Sequence, residues 1–151
     1  MATHIYRSSV AWQGSTGAGY RVYPREHTAT AAPARTELSL SSDPAFRGNP
    51  DRLNPEQLLV VAASSCQLLS FLAVAARAGV DVLDYRDDAE GEMDDAGRPA
   101  RFSRIVLRPQ IRVAIGTDTD EVVRLARVAH EECYIANSLA TPVEVEPTVT
   151  T

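Results

Sequence analysis

Lysine is absent from the 151 residues, so all fifteen basic side chains are arginines. Coding bias accounts for that composition, and whatever its origin it excludes Schiff-base chemistry, a phosphate-binding P-loop and a lysine general base. Cysteine is nearly absent too: Cys66 and Cys133 are too few for a secreted disulfide framework. Twenty acids against fifteen bases give a net charge of −5, and no basic stripe or tail exists to neutralise phosphates, which argues against nucleic-acid binding. The N-terminal stretch MATHIYRSSVAW lacks the long apolar region of a signal peptide, so a cytoplasmic location is expected. With 44% apolar and 23% charged residues, no internal repeat and no low-complexity segment, the chain reads as one domain over 1–151.

One long apolar run is present. Leu58 to Ala76 carries no charge over 19 residues, but it includes Ser64, Ser65, Cys66, Gln67 and Ser70 and is rich in alanine. That is a marginal membrane span, and a helix buried in a protein core explains it better. Asn54 is a good N-cap, Pro55 sits where its missing N–H costs nothing, and Glu56 and Gln57 occupy the electropositive first turn. The helix is expected to run to Ala78 and stop at Gly79, spanning about 36 Å. Being apolar nearly all round, it needs cover on both faces, from the sheet and a second helix or from a partner subunit.

Strands are expected at 4–12, at Tyr20–Tyr23 and at Thr36–Leu40, with GSTGAG as the connection between the first two. Val82–Met93 and Phe102–Ala114 read as a hairpin about the turn 94–99, with Pro109 marking an edge or bulge. A capping box from Asp118 to Glu121 opens a second helix, whose stripe Val122, Leu125, Ala126, Ala129 and Cys133 falls on one face. Pro142–Val149 alternates as a last strand. The order is βββ-α-ββ-α-β, an α+β class with a mostly antiparallel sheet.

Both cysteines fall on apolar helices. Free cysteine is commonly a small buried hydrophobe, which is one reading of the pair. The other is a redox pair, since two thiols on helices of one core can come within bonding range. A zinc set of Cys66, Cys133, His130 and His27 lacks the short CxxC or HxxxH pairs such sites use. A Cys–His nucleophile lacks a recognisable oxyanion loop or orienting acid.

Four segments together resemble the OsmC/Ohr family of thiol peroxidases: NPEQLLVVAASSCQLLSFLAVAARAGV, the YPREH segment at 23–27, SSDPAFRG at 41–48 and AHEECYIANSL at 129–139. The resemblance covers nearly the whole chain. It implies an intertwined α+β homodimer built around a long central helix, reducing organic hydroperoxides without metal or other cofactor. By position it implies Cys66 as the peroxidatic and Cys133 as the resolving cysteine, joined after turnover by a disulfide. It also implies Arg25 as the arginine that activates the thiol, with Arg21 as competitor, and Glu56 as the glutamate at the helix start. The implied reductant is a small thiol or a dihydrolipoyl group. A free cysteine with pKa about 8.5 is only about 3% thiolate at pH 7, and a neighbouring guanidinium raises that share. Gln67 departs from the family pattern, where histidine often follows the first cysteine; the departure bears on substrate preference. An OsmC-fold protein that binds an apolar ligand with lost or altered redox activity is the alternative.

Overall fold

The computed structural model describes residues 2–97 and 99–151; Met1, and Arg98 of the turn expected at 94–99, lie outside the described residues. The backbone forms two compact units, one up to Leu58 and one over Leu59–Thr151.

In the first unit, β1 (Ser9–Ala11), β2 (His27–Thr30) and β3 (Leu38–Leu40) form an antiparallel sheet in that order. The strand expected at Tyr20–Tyr23 is a pair of turns instead. Gly19 donates its N–H to the Thr16 carbonyl and Val22 to the Gly19 carbonyl, and Gly19 takes φ 93°, a conformation that favours glycine. The Arg25 guanidinium donates to the Tyr20 and Tyr23 carbonyls, so acceptors that a ladder would have used are satisfied by a side chain. Trp12 Nε1 donates to the Pro24 carbonyl at 2.8 Å and pins the loop further. β1 therefore pairs with the later β2, Ser9 opposite Thr30.

α1 spans Pro55–Arg77, one residue short of the expected end, and Gly79 follows with φ 73°. Its start is a reciprocal capping box: the Gln57 N–H donates to Asn54 Oδ1 at 2.8 Å, and the Asn54 N–H to Gln57 Oε1 at 3.0 Å. By length and composition α1 could cross a membrane, with mean hydropathy 2.1 over its most apolar window.

In the second unit the expected hairpin is present, but each arm is broken. β4 (Val82–Asp87) pairs with β7 (Pro109–Val113), and β5 (Glu90–Asp94) with β6 (Arg101–Leu107), both antiparallel. The break has a chemical cause: Asp87 Oδ1 accepts the Arg108 N–H at 2.7 Å, and Pro109 has no N–H to give. The last strand divides too, at Glu146–Pro147. β8 (Val143–Val145) runs parallel to β6 and β9 (Thr148–Thr150) parallel to β7.

α2 (Thr119–Glu131) begins where Asp118 Oδ1 accepts the Asp120 and Glu121 N–H groups. The return bond of the expected box is replaced by a Glu121–Arg124 pair at 2.6 Å. Cys133 is not on α2. The helix stops at Glu131, and Cys133 is the N-cap of a short α3 (Tyr134–Ser138). Asn137 Nδ2 causes the stop by donating to the Glu131 and Cys133 carbonyls at 2.8 and 3.0 Å.

Two cores result. Phe71, Val74 and Ala75 of α1 pack with Val122, Leu125, Ala126 and Ala129 of α2 and with Ile111 and Val113 of β7. Ala63, about two turns earlier on α1, packs with Ile105 and Leu107 of β6 and with Ile135 and Leu139. Gly91 on β5 is required by a close approach, since a Cβ there would sit 2.7 Å from Val60 Cγ2 of α1 and 2.6 Å from Phe102.

A dithiol site between a long helix and a helix junction

Cys66 stands near the middle of α1 and Cys133 at the α2–α3 junction, and the second unit brings their thiols together. The Ile135 N–H, two residues after Cys133, donates to Cys66 Sγ at 3.5 Å, and Cys66 is close enough to influence the ionisation of Cys133. Both are free thiols, with unequal access: Cys66 is partly exposed and Cys133 is fully buried. Burial pushes the Cys133 thiol up from its ordinary value, the Ala136 N–H opposes that shift, and Cys66 adds to it. A partly exposed sulfur beside the element that carries a buried one can be attacked from outside and then captured from inside.

The same unit buries several polar groups with unusual bonding. Gln67 is 1% exposed; its Nε2 donates to the Ala126 carbonyl of α2 at 2.9 Å, and its Oε1 has no protein partner. Tyr85 on β4 lies against Phe71, ring centroids 5.8 Å apart, with its hydroxyl buried and unpartnered. Burial first, then the charges of Asp87 and Cys133, drive its ionisation well above the ordinary phenol range. Both Asp87 oxygens are engaged, Oδ1 by the Arg108 N–H and Oδ2 by the Ser64 hydroxyl at 2.5 Å. A groove of about 390 Å³ runs between α1 and β4, lined by Val60, Val61, Ser64, Ser65 and Leu68 on one side and Tyr85, Asp87 and Ala89 on the other.

The two remaining residues singled out in the sequence lie in the first unit. Arg25 is half-buried, its guanidinium 3.7 Å from the centroid of the Tyr23 ring and 4.8 Å from that of Tyr20, in addition to its two carbonyl bonds. Arg21 is exposed. Glu56, in the first turn of α1, forms no salt bridge to Arg25 among the described residues. Ten helical positions separate Glu56 from Cys66, about 15 Å along the axis, so the carboxylate and the thiol do not meet within α1. Sequence reasoning missed the Ile135 N–H, which reaches Cys66 only through tertiary packing. Asn137 sat in the AHEECYIANSL segment, and its side-chain amide four residues after Cys133 was the available signal.

Known proteins share this arrangement of elements. A solved structure of an OsmC-like protein of unknown function from Vibrio cholerae matches with TM-score 0.87 and 26% identity, over 97% of this chain and 100% of the other. An organic hydroperoxide resistance protein from Elizabethkingia anophelis matches with TM-score 0.74 and 18% identity, over 99% and 98% of the two chains. In sequence, the uncharacterized protein YmaD of Bacillus subtilis is 22% identical over 149 residues, covering 97% of this chain and 93% of YmaD. The profile of the OsmC-like protein family matches residues 48–148, a segment holding α1, both cysteines and every strand of the second unit but the last two residues of β9. The chain belongs to the OsmC-like protein family.

Proposed function

We propose that this chain is a thiol-dependent peroxidase that reduces organic hydroperoxides in the cytoplasm as a homodimer, without metal or other cofactor. The observation that carries the reading is the placing of a partly exposed Cys66 against the helix junction that holds a buried Cys133. Cys66 as thiolate attacks the outer peroxide oxygen; the O–O bond breaks, the alcohol leaves with a proton, and Cys66 becomes a sulfenic acid. Cys133 then attacks the Cys66 sulfur, an S–S bond forms, and the sulfenic oxygen leaves as water. A small thiol or dihydrolipoyl group restores both thiols by exchange. The relative named an organic hydroperoxide resistance protein supports organic hydroperoxides as the substrate class.

Arg25 is the activating arginine and Glu56 its carboxylate partner in this reading. What favours Arg25 over Arg21 is its half-buried, stacked guanidinium, already held in one orientation by two carbonyls. The dimer is supported by α1, where Val61, Leu69 and Leu72 are 55%, 64% and 39% exposed on one face of the most apolar helix. A second copy covering that face removes the need for a lipid environment.

The deciding experiment is stopped-flow reaction with a panel of peroxides, on the wild type and on Cys66→Ser, followed by mass spectrometry of the products. A fast organic-hydroperoxide reaction, lost in Cys66→Ser and ending in a Cys66–Cys133 disulfide, is expected. Arg25→Ala should slow the first step about 30-fold at pH 7 while Arg21→Ala leaves it unchanged. A slow wild type whose thiols stay reduced would instead support an apolar-ligand-binding protein. Sedimentation at micromolar concentration should give a dimer.

A further inference from the structure

Building on the peroxidase reading above, we infer that Asn137 is a positioning residue for the resolving step. Its side-chain amide keeps Cys133 out of α2 and on the junction that lies against Cys66, and it releases the backbone N–H that bonds the Cys66 sulfur.

Two conformations compete for Cys133. Its spacing from Val122, Leu125, Ala126 and Ala129 continues the apolar stripe of α2, so a helix running on through it is the local preference. The chain instead holds it extended, at φ −71° and ψ 111°, between α2 and α3. Little at the junction itself favours that break. No glycine or proline occurs from Glu131 to Ser138, the Cys133 thiol makes no capping hydrogen bond, and α3 has only five residues. The break is held from the far end of α3. Asn137 Nδ2 donates to the Glu131 carbonyl at 2.8 Å and to the Cys133 carbonyl at 3.0 Å, and the Asn137 N–H donates to the Cys133 carbonyl at 3.0 Å. In a continuous helix the Glu131 carbonyl would take the N–H of Ile135, four residues on. Asn137 supplies that carbonyl with another donor, and the released Ile135 N–H bonds Cys66 Sγ at 3.5 Å. One side chain therefore settles both the backbone of Cys133 and a donor to Cys66.

The resolving step depends on that arrangement. The Cys133 sulfur attacks the Cys66 sulfenic acid, the S–S bond forms, the Cys66 S–O bond breaks, and the oxygen leaves as water with the Cys133 proton. Capture inside one molecule is fast only while the attacking sulfur is held in reach and in line. Continuing α2 through residue 133 would return Cys133 to the helix stripe and the Ile135 N–H to Glu131. Asn137 is exposed and acts through backbone carbonyls, so it positions the chemistry and takes no part in bond making.

The test uses two variants: Asn137→Asp keeps the shape and loses the donors, and Asn137→Ala favours the continuous helix. With Cys133→Ser present to stop the reaction at the sulfenic acid, each should form it within about threefold of the rate of Cys133→Ser alone, since only a weak bond to the Cys66 sulfur is lost. Disulfide closure in the single variants should slow about 10- to 100-fold. At excess peroxide their Cys66 should then go on to sulfinic acid, read by mass spectrometry, where the wild type ends as the disulfide. Val122→Ala, a core truncation on α2, lowers stability without touching the junction and should close at the wild-type rate. Wild-type closure in Asn137→Asp, or equal slowing in Val122→Ala, overturns the positioning role and leaves the peroxidase reading standing. A wild type that forms no sulfenic acid with any hydroperoxide overturns the peroxidase reading itself.

Discussion

Replacing Gln67 by leucine should leave the fold as stable as before or make it more stable, although the residue is buried and hydrogen-bonded. Its Nε2 donates to the Ala126 carbonyl at 2.9 Å, a bond worth about 1 kcal/mol net. Losing that donor strands nothing, because the Ala126 carbonyl also lies inside α2 and accepts the helical bond from four residues on. Against this loss stands the Gln67 Oε1, buried with no partner, whose desolvation costs about 1–3 kcal/mol. Leucine fills nearly the same volume with apolar atoms, between Ala63 and Phe71 on a face that is already core. The balance is a change between about zero and 2 kcal/mol in favour of the variant. Urea unfolding monitored by circular dichroism, with the midpoint compared at equal slope, measures it. Gln67→Ala is the control, and should cost about 2–3 kcal/mol through the cavity it leaves. If Gln67→Leu is destabilised by more than about 2 kcal/mol, Oε1 has a partner, such as a buried water, and the reasoning fails.

Three further perturbations have definite expected outcomes. Asp87→Ala strands the Arg108 N–H and frees Ser64, and should cost about 2–3 kcal/mol in urea unfolding, whereas the exposed Glu121→Ala should cost under about 1 kcal/mol. Asn137→Ala removes both bonds that end α2 and position Cys133, so unfolding should ease by about 1–2 kcal/mol and Cys133 should react faster with a thiol reagent. Burial pushes the ionisation of both Cys133 and Tyr85 upward, so the folded state keeps protons that the unfolded chain releases. Stability should therefore fall as pH rises past the unfolded thiol value of about 8.5, and a Tyr85→Phe, Cys133→Ala double variant should flatten that decline between about pH 8 and pH 10.5.

The parts of the molecule governed by local chemistry were legible in the chain. Asn54, Pro55 and Gln57 write the start of α1 in adjacent letters, and Gly79 writes its end. The 82–94 and 101–113 pairing was readable from β-rich runs about a polar turn. Where local and non-local chemistry compete, the reading failed. Tyr20–Tyr23 has strand-forming residues, but its carbonyls go to the Arg25 side chain, while His27–Thr30 became the strand because β1 and β3 offered it ladders on both edges. Cys133 fits the apolar stripe of α2 in spacing, yet a side-chain amide four residues later ends the helix before it. Placement on two core helices already suggested Cys66 and Cys133 as a pair, but it suited inert buried thiols as well, and the family resemblance favoured the pair.

The two thiols lie close in space but far apart along the chain, and that separation ties oxidation to conformational freedom. A covalent link between α1 and the α2–α3 junction would close a loop of about 70 residues, removing from the denatured ensemble an entropy worth about 4 kcal/mol on the chain-closure scale. That is comparable to a large share of the net stability of a domain this size. In the proposed peroxidase cycle each turnover would carry the protein from a looser, protease-sensitive form to a cross-linked one and back, so a cell's reductant supply would set not only how much protein is ready to react but how long each copy survives.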